Sequence, residues 1–297
     1  MSHLVVAGID GSECSLAAAD WAAREAALRD VPLRLVHASP PLPGIVVPVA
    51  AADTWHEIGE RMLQHAVADL TDRYPDIEVR GEQITGTPAE TLLAAAPRHG
   101  LLVVGARGSG GFGALAVGSV ALRVGAAAHC PVVMVPKQHA DADEEEIPAN
   151  GDAGQLVLGF AAHHPVNETA DFAFSAAQAR GARLRVVHAW ALPADCVSPR
   201  MLAVTEEDRA EWEDQEVLQL TDALSAWREK YYPEVTVRTD VVLLHPAEAL
   251  LNTSRGADLL VVGRRTDPLS AEGGLGPVAH AVLHHTRCPV AVVPHAD

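Results

Sequence analysis

The stretch "LLVVGARGSGGFGALAVGSVALRVGAAAHCPVVMVP", residues 101–136, sets a short apolar strand before a run holding Gly105, Gly108, Gly110, Gly111, Gly113 and Gly118. An alanine-rich helix and a second apolar strand follow. Gly105 and Gly108 would let the chain turn with positive φ and present no Cβ to a ligand. Ser119 stands where the helix begins, able to cap it or to donate its hydroxyl, and the free N–H groups of such a terminus suit a phosphate. An altered copy, "LLVVGRRTDPLSAEGGLGPVAHAVLHHTRCPVAVVP", spans residues 259–294.

Outward from this segment, the whole chain is written twice. Gly8, Asp20, Trp21 and His37 fall on Gly159, Asp171, Phe172 and His188 without a gap, a spacing of 151 positions. Further on, "RYPDIEVR" matches "YYPEVTVR", "TPAETLL" matches "HPAEALL" and "CPVVMVP" matches "CPVAVVP" at a spacing of 158, so the second copy carries seven extra residues before its "YYP". The copies occupy residues 1–137 and 154–297, joined by an acidic linker at 138–153 that lacks apolar periodicity.

In the first copy the pattern predicts strands at Leu4–Ile9, Leu33–His37, Ile77–Ile84, Leu101–Val104 and Val132–Val135. Helices are expected at Ser15–Arg29, at Thr54–Arg73 after the Pro-rich "SPPLPGIVVPVAAAD", from a capping box of Thr87, Pro88 and Glu90, and at Ser119–His129. Alternating strands and helices give an α/β class, two doubly wound parallel-sheet domains in tandem. Ligands of such sheets bind beyond the strand C-termini where the order reverses, which would bring Asp10 beside the glycine segment. Asp10 could there accept from a ribose hydroxyl, hold a metal, or cap the first helix.

Composition bounds the partners. A chain of 297 residues, 48% hydrophobic and only 4% aromatic, builds its cores from Val, Leu and Ala. A formal charge of -17 with no Lys/Arg run disfavours nucleic acid and anionic membranes. No apolar run has the roughly 18 residues of a membrane span, and "MSHLVVAGID" enters a strand directly, unlike a signal peptide, so a cytoplasmic location is expected. Cys14, Cys130, Cys196 and Cys288 lie far apart, without zinc or redox spacing. His37 and His188 recur at strand ends as structural residues. His163-His164 and His284-His285 are adjacent pairs pointing different ways, which argues against a metal.

Two phosphate motifs are excluded. G-x-x-x-x-G-K-[ST] needs a Lys that is absent, and a G-x-G-x-x-G at Gly108, Gly110 and Gly113 follows the fourth strand, with no acid about 20 residues on. The spacing G-x2-G-x9-G-S after "LLVVG", together with "GIDGS", "LVHA" and "CPVVMVP", resembles the universal stress protein family, here as a tandem member. The resemblance implies an adenine nucleotide alpha-hydrolase-like, Rossmann-like fold of strand order 3-2-1-4-5, with ATP between the first and fourth strands and a regulatory role in stress response. By position, Gly8 and Asp10 should lie under the nucleoside and Ala38 should meet the adenine through its backbone. Gly105, Ala106, Arg107, Gly108, Ser109, Gly110, Gly111, Gly118, Ser119 and Val120 should hold ribose and phosphates, with Asp10 as an indirect partner of Mg2+. Where some family members place a basic side chain late in the loop, Gly111 and Leu115 stand here, leaving Arg107 as the nearby cation.

The second copy departs at the ligand positions: Asp10, Gly108 and Ser119 become Ala161, Thr266 and Pro277, and Asp267 adds negative charge, while Gly118 keeps its equivalent in Gly276. Losing two or three hydrogen bonds would cost on the order of 3–6 kcal/mol, about two to four decades of affinity. ATP is therefore expected in the first half only; Arg264 and Arg265 leave open a different anionic ligand there, but are expected to be solvated loop residues. The second half is expected to pair its last strand with that of the first, leaving a homodimer open. No nucleophile or general base faces the phosphates, so hydrolysis should be slow at most. The alternative is an interaction protein with two vestigial pockets.

Overall fold

The structure, a computed structural model, describes residues 4–39, 49–96, 99–109, 116–137, 154–192, 205–266 and 274–296. The first half runs β1 (Leu4–Gly8), α1 (Glu13–Arg29), β2 (Leu33–Ser39), α2 (Val49–Arg73), β3 (Val79–Thr85), α3 (Pro88–Ala95), β4 (Gly100–Gly105), α4 (Ser119–Ala127) and β5 (Val132–Val135). The second repeats the plan with β6 (Gln155–Gly159), α5 (Asn167–Arg180), β7 (Arg183–Trp190), α6 (Glu206–Ala226), β8 (Val237–Leu243), α7 (Pro246–Thr253), β9 (Leu259–Arg265), α8 (Pro277–His285) and β10 (Val290–His295). A π-helical turn over Trp227–Tyr231 prolongs α6.

The ten strands of the described residues form one sheet of order β3-β2-β1-β4-β5-β10-β9-β6-β7-β8. Neighbours within each half are parallel, as in Val5↔Leu33 and Val5↔Leu101, and β5 meets β10 antiparallel through Ala291↔Val133. The order 3-2-1-4-5 holds for the first half and the expected pairing of last strands joins the halves.

Alternation along the strands explains why both faces are covered. Val5, Ala7, Leu101 and Val103 pack into one core with α1, α2, α5 and α6, whereas Val6, Leu102, Val104 and Val132 pack into the other with α3, α4, α7 and α8. Strands buried on both sides read as unbroken apolar runs, and each core crosses from one half to the other.

Local chemistry sets the ends of α1. Ser12 caps it by accepting from the Ser15 N–H at 3.2 Å, so the helix begins at Glu13, two residues before the expected start. It stops at Asp30, in left-handed backbone with φ 52°, the place that Gly181 takes after α5 with φ 58°. Two expectations are corrected here. Helix α2 begins at Val49, reaching into the Pro-rich stretch, whose residues 40–48 lie outside the described residues. The capping box of α3 does not close: the Thr87 hydroxyl donates to the Glu90 carboxylate at 2.6 Å and neither caps the backbone. The acidic linker lies outside the described residues.

Candidate nucleotide-binding site

β1 and β4 are neighbours where the strand order reverses, so the turns after them face each other. The Ile9 N–H continues the ladder to the Val36 carbonyl at 2.9 Å and the chain then turns at Asp10. On the other side, the Ala106 N–H bonds the Val135 carbonyl, and the Gly118 N–H returns to the Ala106 carbonyl, both at 2.7 Å. The glycine loop is therefore pinned at both ends before α4 begins.

Asp10 joins the two turns. Its Oδ2 accepts from the Ser109 N–H at 2.8 Å, and Oδ1 accepts from the Ser12 N–H at 3.0 Å and the Ser12 hydroxyl at 2.6 Å. Partial burial pushes this carboxyl up, but the hydrogen bonds from Ser12 and Ser109 outweigh that and hold it below the usual carboxylate range. Asp10 thus supports the α1 cap and ties down the glycine loop together, and the cap itself is Ser12.

The glycines have other reasons than the expected one. Among the described residues, positive φ occurs at Gly11, Asp30, Gly181 and Gly256, not at Gly105 or Gly108. A Cβ on Gly105 would stand 2.8 Å from the backbone carbon of Cys14, so this glycine lets α1 ride over the end of β4. A Cβ on Gly108 would stand 2.6 Å from the Asp10 carboxylate. Gly8 is buried, with Leu92 of α3 at 2.9 Å from any Cβ there. Thr266, the counterpart of Gly108, likewise has no positive φ, and Ala161 stands where the Asp10 carboxylate would meet its side chain.

Of the other candidates, Ala38 lies half-buried on β2 opposite Ile84, Ala106 is buried, Arg107 and Val120 are half-buried, and Ser109 and Ser119 are exposed. Gly110, Gly111, Leu115 and Asp267 lie outside the described residues. Gly118 precedes α4 without a side-chain cap, so the first N–H groups of that helix face outward with its dipole behind them. The arrangement can take up an anion above α4 and a polar group beside Asp10.

In the second half the strand pairing runs further. β9 stays paired with β10 through Pro294↔Arg264 and His295↔Arg265, and Thr266 then donates both its N–H (2.8 Å) and its hydroxyl (2.7 Å) to the His295 carbonyl. Arg264, expected in solvent, is instead buried and donates to the Ala128 carbonyl of the first half at 2.5 Å, its pKa lowered by desolvation.

Near these strand ends His37 and His188 bond the backbone, and a second histidine joins His188. His37 bonds the Ile9 carbonyl through Nδ1 at 2.9 Å. His188 is buried, and Nε2 of His188 and of His163 lie 2.9 and 2.8 Å from Oε2 of Glu216 on α6. Burial pushes the Glu216 carboxyl up, and the bonds from His188 and His163 more than offset this, leaving it below its ordinary value. Spacing along the chain gave no sign of this cluster, since its members come from the turn after β6, from β7 and from α6.

The family model described as "Universal stress protein family" matches residues 1–136 and again 157–294. The chain belongs to the universal stress protein family. A universal stress protein of Mycobacterium tuberculosis is 33% identical over 305 residues, covering 98% of this chain and 96% of its own length. A second from the same organism is 30% identical over 319 residues, covering 97% and 94%. Among solved structures, a universal stress protein from Archaeoglobus fulgidus superposes with a TM-score of 0.70 over 99% of both chains at 15% identity, a likeness of fold. As a tandem universal stress protein, the molecule carries one half in which Asp10 is bonded to Ser109 and one half in which β9 stays paired with β10 as far as Arg265. Among the described residues no helix is long and apolar enough to cross a membrane.

Proposed function

We propose that this universal stress protein binds one adenine nucleotide, ATP, in its first half, at the crevice between β1 and β4, and that it acts in stress response through the nucleotide-dependent state of the molecule. The carrying observation is the Asp10–Ser109 bond of 2.8 Å, which holds the glycine loop beside the uncapped start of α4. Backbone N–H groups of that loop and of α4, the Ser119 hydroxyl and Arg107 would meet the phosphates. Three donors already engage Asp10, so it fits Mg2+ through intervening water more readily than by direct ligation. The chemistry proposed is binding, with slow hydrolysis at most.

The second half supplies the test. Pro277 occupies the first position of α8, showing that this fold accepts proline there. Ser119→Pro should keep the fold while deleting a hydroxyl and an N–H. Calorimetry with Mg-ATP should give one site per native chain, with affinity lowered roughly 10- to 100-fold in Ser119→Pro and in Asp10→Ala. Two sites per chain would refute the asymmetry between halves. No site in the folded native chain would return the interaction-protein alternative.

A further inference from the structure

We propose that His163, His188 and Glu216 form a binding site for a borderline divalent transition ion, Zn2+ in the first instance, in the half whose glycine motif is altered. The three ligand atoms lie within 4.8 Å of one another. Two imidazoles and a carboxylate are a donor set for Zn2+, whereas Mg2+ and Ca2+ select oxygen. Two ligands about 2.1 Å from a tetrahedral ion sit roughly 3.4 Å apart. The His163–Glu216 and His188–Glu216 contacts of 2.8 and 2.9 Å need open by only about half an ångström.

The surroundings favour a metal over a mere hydrogen-bonded triad. Nδ1 of His188 lies 3.2 Å from the Phe160 carbonyl and 3.3 Å from the Ala162 N–H; in the tautomer that donates to Phe160, Nε2 is bare for an ion and Phe160 gives the usual outer-shell support of a metal-bound histidine. His188 is only 4% exposed and fixed, while His163 is 55% exposed and gives solvent a way in. Glu216 owes its position to a register change. The Tyr74 N–H bonds Leu70 four residues back, but its counterpart Tyr232 bonds Trp227 five back. The π-helical turn thus absorbs one extra residue, and upstream of it Glu216 takes the place of Gly59. In the first half a Cβ on Gly59 would be 2.8 Å from Nε2 of His37, and Ser12 stands where His163 does. One shared histidine has therefore gained a second imidazole and a carboxylate, the latter through a π-turn of the kind that recurs at functional sites.

The full chain, free of nucleotide, should be titrated with Zn2+ by calorimetry and with Co2+ by visible absorption, for native protein, His163→Ala, Glu216→Gln and His284→Ala. One tight equivalent is expected, with d–d bands of a low-symmetry site and a thermal midpoint raised by Zn2+. Affinity should fall at least about tenfold in His163→Ala and in Glu216→Gln, and hold in His284→Ala. Circular dichroism checks the fold of each variant; His163 is exposed, so its loss should spare it. No tight equivalent in the native chain, or one kept in His163→Ala, overturns the proposal.

Discussion

Glu25 should bear more of the stability of the joined halves than any exposed ion pair. It is 1% exposed on α1, and its two oxygens accept from Arg29 at 2.5 Å and from Arg180 of α5 in the other half. Arg29 lies 5.6 Å over the Phe172 ring and Arg180 lies 5.5 Å over the Trp21 ring, a reciprocal pair made by equivalent positions of the two copies. The counterpart of Glu25 is Ala176, so one carboxylate neutralises two guanidinium groups. Glu25→Ala leaves two largely covered cations without their shared carboxylate, and breaking a buried pair on one side costs about 3–5 kcal/mol, an upper bound here because both arginines keep some contact with solvent. At about 2 °C per kcal/mol for a chain of this size, the thermal midpoint should fall by up to roughly 6–10 °C. Scanning calorimetry reads this directly. Adding Arg180→Met to Glu25→Ala should recover part of the loss by removing one orphaned charge. Glu82→Ala, which breaks an exposed 3.5 Å contact to Arg34, should change stability by less than about 1 kcal/mol. A loss below about 1 kcal/mol for Glu25→Ala, or a double variant no better than the single one, would refute the view that Glu25 is the electrostatic joint.

Gly108→Ala should push the Asp10 carboxylate off the loop, given the 2.6 Å approach, and loosen it by about 1.5–3 kcal/mol; faster amide exchange at Ser109 would report this. Arg264→Met removes a buried guanidinium whose Nε lacks a partner, so stability in urea should hold or rise, and a loss above about 2 kcal/mol would show that the bond to Ala128 matters more. Because the folded Asp10 carboxyl is held below its unfolded value near 3.9, its contribution is present above about pH 4 and fades as pH falls through the folded value. The stability gap between native protein and Asp10→Asn, measured by denaturant titration from pH 6 to pH 3, should accordingly narrow on acidification.

The sheet was legible because its strands are buried on both faces and so appear as unbroken apolar runs, and because the chain repeats them in order. Position Asp10–Ser109 was legible for a related reason: a parallel sheet of order 3-2-1-4-5 must set the turns after β1 and β4 side by side. What escaped depended on side chains meeting across the fold. Gly105 suggests a flexible turn when seen alone, yet its lack of a Cβ serves the approach of Cys14. Arg264 looks like a loop residue, but β9 continues past the point where β4 ends and carries it under α4 to Ala128. The start of α2 was hidden by the prolines before it. The one residue absorbed by the π-turn was hidden among the seven by which the copies differ in length.

The manner of divergence follows from the sheet. A substitution in Val5, Leu101, Leu156 or Leu259 would disturb a core that crosses both halves, so strand residues are constrained jointly. The turns beyond the strand C-termini carry no such shared load. There the first half ends β4 at Gly105 and turns into a loop tied to Asp10, while the second extends its pairing to His295 and ties Thr266 to that strand. The same freedom lets α6 slip by one residue, since the π-turn returns Tyr232 to the register of Tyr74 before β8 begins. Upstream of the turn the core contacts are kept: Leu220 and Trp227 are buried where Leu63 and Leu70 are. Only the positions above the strand ends see a new chemistry, with Glu216 over His188 where Gly59 lies over His37. Two halves sharing one sheet can in this way keep a common core while setting different side chains above their strand ends.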